Sequence, residues 1–104
     1  MNRYLMKILT PEKKIYSGEI ISMTVPCENG LLTVLAGHAP MTAMLVEGPL
    51  VVKTEQETME GITGQGVLCV DRSETVVMVH AFQWTGDESE AEPDAAAASD
   101  NMLL

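Results

Sequence analysis

The side chains best suited to chemistry in this 104-residue chain are two histidines, two cysteines and a scatter of carboxylates. His38 lies in AGHAPM, between a glycine and an alanine-proline pair, and His80 lies far along the chain in VHAF. A β-barrel metal site of the cupin kind gathers several histidines with a carboxylate, and zinc sites pair cysteines at Cys-x-x-Cys spacing. Cys27 and Cys69 stand singly and apart, so neither set is assembled in the sequence. There is no Gly-x-Ser-x-Gly elbow and no phosphate-cradling glycine loop ahead of a helix. Gly61, Gly64 and Gly66 fall between strand-like runs, where glycine marks a bulge or a close backbone approach. Glu55, Glu57 and Glu60 surround an expected hairpin and read as a solvated turn. The expectation is no catalytic residue, no cofactor and no metal.

What remains for these residues is structural. Pro40 drives Ala39 away from helical dihedrals and Gly37 allows a sharp bend, so the segment is expected to be a rigid corner whose imidazole bonds to backbone. His80, in step with Phe82 and Trp84, reads as a packed or interfacial side chain. The opening MNRYLMKILT interrupts any export signal with Arg3 and Lys7, so a reducing compartment is expected and both thiols read as small core fillers.

The elements that hold these residues are short and β-like. YLMKIL ends at Thr10-Pro11-Glu12, and Ile15-Tyr16 leads to a turn expected at Ser17-Gly18. IISMTV alternates with Ile21, Met23 and Val25 on one face, Pro26 stops it, and Glu28-Asn29-Gly30 forms a loop. LLTVL, MTAMLV, LVVKTE, TMEGIT, GVLCV and TVVMVHAF follow, each closed by turn residues. About eight to ten such strands with turns at short intervals predict an all-β fold, a small β-sandwich or barrel. In TVVMVHAF, Val77, Val79 and Ala81 point one way and Val76, Met78 and Phe82 the other. Either these strands are central and lie under loops, or another protein covers their outer face. Eight methionines suit both readings.

Charge narrows the partners. The formal net charge is −9. Residues 1–85 hold six Lys/Arg against nine Asp/Glu, and residues 86–104 add six acids and no base. Such a surface repels phosphate backbones and anionic lipid, so neither nucleic acid nor lipid head groups are expected ligands. The uncharged run 30–46 is shorter than the roughly 20 residues a spanning helix needs and is cut by Gly37, His38 and Pro40. The organisation expected is one domain over 1–85 and an acidic, Ala-rich, low-complexity tail over 86–104, flexible or partly helical.

Four motifs in order carry a resemblance: ILTPEKKIYSGEI at 8–20, VPCENGLLTVLAGHAPM at 25–41, ITGQGVLCV at 62–70 and TVVMV at 75–79. Together they resemble the epsilon subunit of bacterial and chloroplast F-type ATP synthases, called delta in mitochondria, over its N-terminal β-sandwich. Ala36, Thr33 and Gln65 depart from the family's usual proline and glycines. The resemblance implies a non-catalytic rotor subunit at the foot of the central stalk, peripheral on the cytoplasmic face of the bacterial inner membrane. One face would clamp to the gamma subunit while end loops meet the polar loops of the c-ring, coupling ring rotation to gamma. Glu28, Asn29, Gly30 and Leu31 would form the ring-facing loop, with His38 and Pro40 near the gamma–ring junction. No stable homo-oligomer is expected, and the coupling ion, proton or sodium, is left open. Family members usually continue into an inhibitory two-helix hairpin; the tail is too short for one, which implies a short form without that inhibition. The alternative is a free-standing sandwich or barrel binding a small ligand or one metal through His38 or His80.

Overall fold

The computed structural model describes residues 2–85; the tail, and with it the expectations about its structure, lies outside the described residues. Ten strands follow one another: β1 (Tyr4–Leu9), β2 (Lys14–Ile20), β3 (Ser22–Cys27), β4 (Gly30–Leu35), β5 (Met41–Leu45), β6 (Gly48–Lys53), β7 (Thr58–Thr63), β8 (Gly66–Val70), β9 (Thr75–Val79) and β10 (Phe82–Trp84). The all-β sandwich expected from the sequence is the architecture found.

Two layers form from one continuous ladder. β4, β3, β6, β7 and β10 make the first, and β5, β8, β9, β1 and β2 make the second. They join where β3, having paired with β6 over its first half, passes to β5 at Cys27 and Leu45. All neighbours are antiparallel except β1 and β9. At the opposite edges the layers meet through aromatic rings: Tyr16 of β2 stands edge-on to Trp84 of β10 at 6.0 Å, and within β10 Phe82 stands edge-on to the same Trp84 at 4.8 Å. Between the layers Met6, Ile8, Ile20, Met23, Val25, Leu50, Val52, Leu68 and Val77 are wholly buried. They occupy alternate positions on their strands, as one inward face requires.

Three strand limits differ from the sequence expectation, each for a local reason. Ser17-Gly18 is not a turn: both residues pair with β1, opposite Lys7 and Met6. A Cβ on Gly18 would come within 3.0 Å of the Tyr16 hydroxyl, so glycine there makes room for the ring rather than bending the chain. Pro26 does not stop β3. Its missing N–H falls where β3 leaves β6 for β5, and its carbonyl accepts from the Val46 amide at 3.0 Å. The third run, TVVMVHAF, breaks after Val79. His80 and Ala81 are exposed and connect β9 to β10 instead of continuing a strand in step with Phe82. The thiols also differ from expectation, since Cys27 and Cys69 are only half-buried.

This strand order sorts the connections between two ends. Residues 10–13, 28–29, 46–47, 64–65 and 80–81 gather at one end, called here the hairpin end; Ile21 and residues 36–40, 54–57 and 71–74 gather at the other, called the corner end.

Candidate subunit interface

The corner behaves as its sequence dictates. Gly37 sits at a φ of 84°, a conformation that favours glycine, and the His38 amide donates to the Leu35 carbonyl at 3.1 Å. The imidazole Nδ1 lies 2.8 Å from the Ala39 carbonyl and, in the tautomer carrying its proton there, donates to it. His38 therefore ties its own loop. Beneath it the Tyr4 hydroxyl donates to the Val34 carbonyl at 2.7 Å, linking β1 in one layer to β4 in the other. Burial pushes the Tyr4 phenol well above its ordinary range, because ionisation would place a charge in this partly desolvated seam. Tyr4 did not stand out in the sequence; only its contact across the layers reveals it.

The other sequence candidates lie elsewhere. Glu28 and Asn29 form the turn of the β3/β4 hairpin, Gly30 and Leu31 open β4, and all four are exposed. From Gly30 to Leu35 the strand advances about 17 Å, so this loop and the His38/Pro40 corner sit at opposite ends of the sandwich. They are not one site. His80 is at the hairpin end, where its Nδ1 lies 3.2 Å from the Gln65 carbonyl. A single centre using both histidines is therefore not built, and among the described residues no group of three or more His, Cys, Asp or Glu is placed to hold a metal.

Strand register assembles a surface that no one segment contains. Met44 of β5 is paired with Val67 of β8, Val67 with Met78 of β9, Met78 with Leu9 of β1, and Leu9 with Lys14 of β2. Residues in register share a face. Their neighbours Leu68, Val77 and Ile8 point inward to the core, so this row points outward. Met44 keeps 53% of its surface exposed and Met78 keeps 43%. At the Met44 end the Glu28 amide donates to the Met44 carbonyl at 3.3 Å, so the row runs from an acid through four apolar side chains to a base. A second row, Thr42, Cys69, Val76, Lys7 and Ser17, lies beside it, with Lys7 paired to Glu74 at 3.3 Å.

The row resolves the two readings of strands apolar on both parities. No described loop lies over Met44 and Met78, so they are outward-facing rather than central residues under cover. The first layer's outer face mixes exposed apolar side chains, Leu31, Leu35 and Ile62, with a polar line in which the Thr33 and Thr24 hydroxyls lie 3.0 Å apart beside Val51 and Glu60. A contiguous apolar row running across β5, β8, β9 and β1 is the kind of surface that a soluble domain seldom leaves uncovered.

Comparison with known proteins agrees with this architecture. The model of the ATP synthase Delta/Epsilon chain beta-sandwich domain matches residues 4–85. The ATP synthase epsilon chain of Sulfurimonas denitrificans is 34% identical over 93 residues, which is 88% of this chain and 72% of that one. The ATP synthase epsilon chain of Bartonella henselae is 35% identical over 80 residues, 76% of this chain and 57% of that one. The chain thus spans only part of the length of these relatives. In fold, a chain of the Euglena gracilis mitochondrial ATP synthase OSCP/F1/c-ring assembly superposes with a TM-score of 0.75 at 18% identity, covering 79% of this chain and 53% of that chain. With a family match running from the first strand to just past the last, this chain belongs to the ATP synthase delta/epsilon chain family through its β-sandwich domain.

Proposed function

We propose that this chain is a non-catalytic rotor subunit of an F-type ATP synthase, joining the gamma subunit of the central stalk to the c-ring. The observation that carries the proposal is the outward row of Met44, Val67, Met78 and Leu9 on a member of this family. In this reading the row is the face that meets gamma. The hairpin tip, with Glu28, Asn29, Gly30 and Leu31, is turned to the polar loops of the ring. His38 and Pro40, at the other end, shape the far margin of the stalk contact rather than the ring contact.

The work is mechanical. Torque passes between ring and shaft through buried contact, which needs a stiff body, and a sandwich whose layers are joined by the Cys27 corner, the Tyr4 bond and the Tyr16/Trp84 edge provides one. No helix among the described residues is long and apolar enough to cross a membrane. The proposed place is peripheral, on the cytoplasmic face of the bacterial inner membrane, held there through partners.

Tagged chain recovered from gently solubilised membranes of its source is the test. Co-recovery of gamma with an active ATPase head is the expected result. A chain that comes down alone, with no ATP hydrolysis in the eluate, would overturn the reading.

A further inference from the structure

We infer that Asn29 is a site of spontaneous modification, in which its side-chain amide closes onto the Gly30 backbone nitrogen and leaves an aspartyl or isoaspartyl residue at the hairpin tip. Three observations converge on it. Asn29 is the one asparagine followed by glycine, since Asn2 precedes Arg3 and Asn101 precedes Met102. Asn29 and both neighbours are exposed, and its side chain makes no hydrogen bond among the described residues that would hold the amide away. Gly30 has a φ of 116° and nothing lies within 4 Å of where a Cβ would stand, so no side chain shields it, and its amide, which closes the two-residue hairpin against Cys27, comes free for attack when the turn opens.

The step balances with water alone. Solvent base takes the Gly30 amide proton, the nitrogen attacks the Asn29 Cγ, and the Cγ–Nδ2 bond breaks as ammonia leaves with a proton from water. Water then opens the five-membered imide at either carbonyl. One water enters, one ammonia departs, and nothing is oxidised or reduced.

The product changes the tip in two ways. It sets a new carboxylate beside Glu28, doubling the negative charge of the turn. The isoaspartyl form also adds a methylene to the backbone between Cys27 and Gly30, the register pair that closes the hairpin. Since the Glu28 amide bonds to the Met44 carbonyl, the disturbance reaches the end of the apolar row. Modification thus marks chains that have waited unassembled, and a covered hairpin escapes it. That last step rests on the rotor reading; the modification itself does not.

The test incubates the full chain in mildly alkaline buffer, digests it, and separates the peptides around position 29 by mass and by isoaspartyl-specific methylation. Conversion at position 29 is expected, absent in Asn29→Gln, and about tenfold faster for each unit of pH, because the nucleophile is the deprotonated amide. A full chain that stays unconverted while a synthetic peptide of residues 25–33 converts in the same buffer would overturn the proposal, showing that the hairpin protects its own bond. Slower conversion in the assembled complex than in the free chain is expected. Equal rates, in a complex that is nevertheless recovered intact, would remove the protection step and leave the rotor reading standing.

Discussion

Replacing Met78 separates the outward row's role in docking from any role in folding. Full burial of a methionine side chain contributes about 1.5–3 kcal/mol, and 43% of Met78 is exposed in the chain alone. The part still available for a partner to cover is therefore worth about 1 kcal/mol. Met78→Ala should weaken docking roughly fivefold, because about 1.4 kcal/mol corresponds to tenfold. Met78→Asp would carry a carboxylate into the same contact without a counter-charge and should cost about 2–3 kcal/mol, on the order of 30- to 150-fold. In the isolated chain both substitutions sit at a half-exposed position, where changes stay near 0.5 kcal/mol, so thermal unfolding should barely move. Thr58→Asp is the control. Thr58 is exposed on the other layer, opposite Lys53, and should affect neither stability nor docking. The assay is affinity for purified gamma, by titration calorimetry, alongside melting by circular dichroism. Unchanged affinity for Met78→Asp with a normal melting curve would refute the assignment of this face.

Two other perturbations probe the frame behind the face. Tyr4→Phe removes the bond to the Val34 carbonyl and should cost about 1 kcal/mol, a fall of about 4–8 °C in melting temperature for a domain of this size. The same hydroxyl gives a pH signature. Its folded pKa is raised by burial, so its neutral form is favoured in the fold; the stability it contributes is complete below the ordinary tyrosine pKa of about 10 and is lost as pH rises beyond it. Melting temperature of the wild-type chain should therefore fall more steeply above that pH than that of Tyr4→Phe, although Tyr16, also raised by burial and then by Glu57, keeps some slope in both. Gly66→Ala should be the more damaging change. A Cβ there would overlap the Met78 carbonyl and crowd Val79, so β8 and β9 must move apart at a cost of at least about 1–3 kcal/mol, measurable by denaturant unfolding.

The strand-rich class of this fold was legible because alternation is written locally: Met23 and Val25, or Leu50 and Val52, face the core in the parity their neighbours suggest. Local chemistry misled where a long-range contact decides. Gly18 reads as a turn until the Tyr16 ring is seen to lie over it, and Pro26 reads as a stop until the passage of β3 from one layer to the other accounts for its missing donor. The site was legible in outline only. Apolar residues of both parities in TVVMV pointed to an outward face, but its partners Met44 and Leu9 come from strands distant in sequence and are joined to it by register alone. The loop of Glu28, Asn29, Gly30 and Leu31, which the resemblance turns to the ring, and the His38/Pro40 corner, which it puts near the gamma–ring junction, are separated by the length of β4, a distance that their closeness in sequence concealed.

Site-specific photo-cross-linking in the assembled enzyme tests the central claim most directly. A photoreactive side chain at position 78, irradiated in complexes purified from membranes, should give an adduct with the gamma subunit, and the same group at position 58 should give none. An adduct from position 58 alone, or none from position 78 in complexes that contain the chain, would contradict the account.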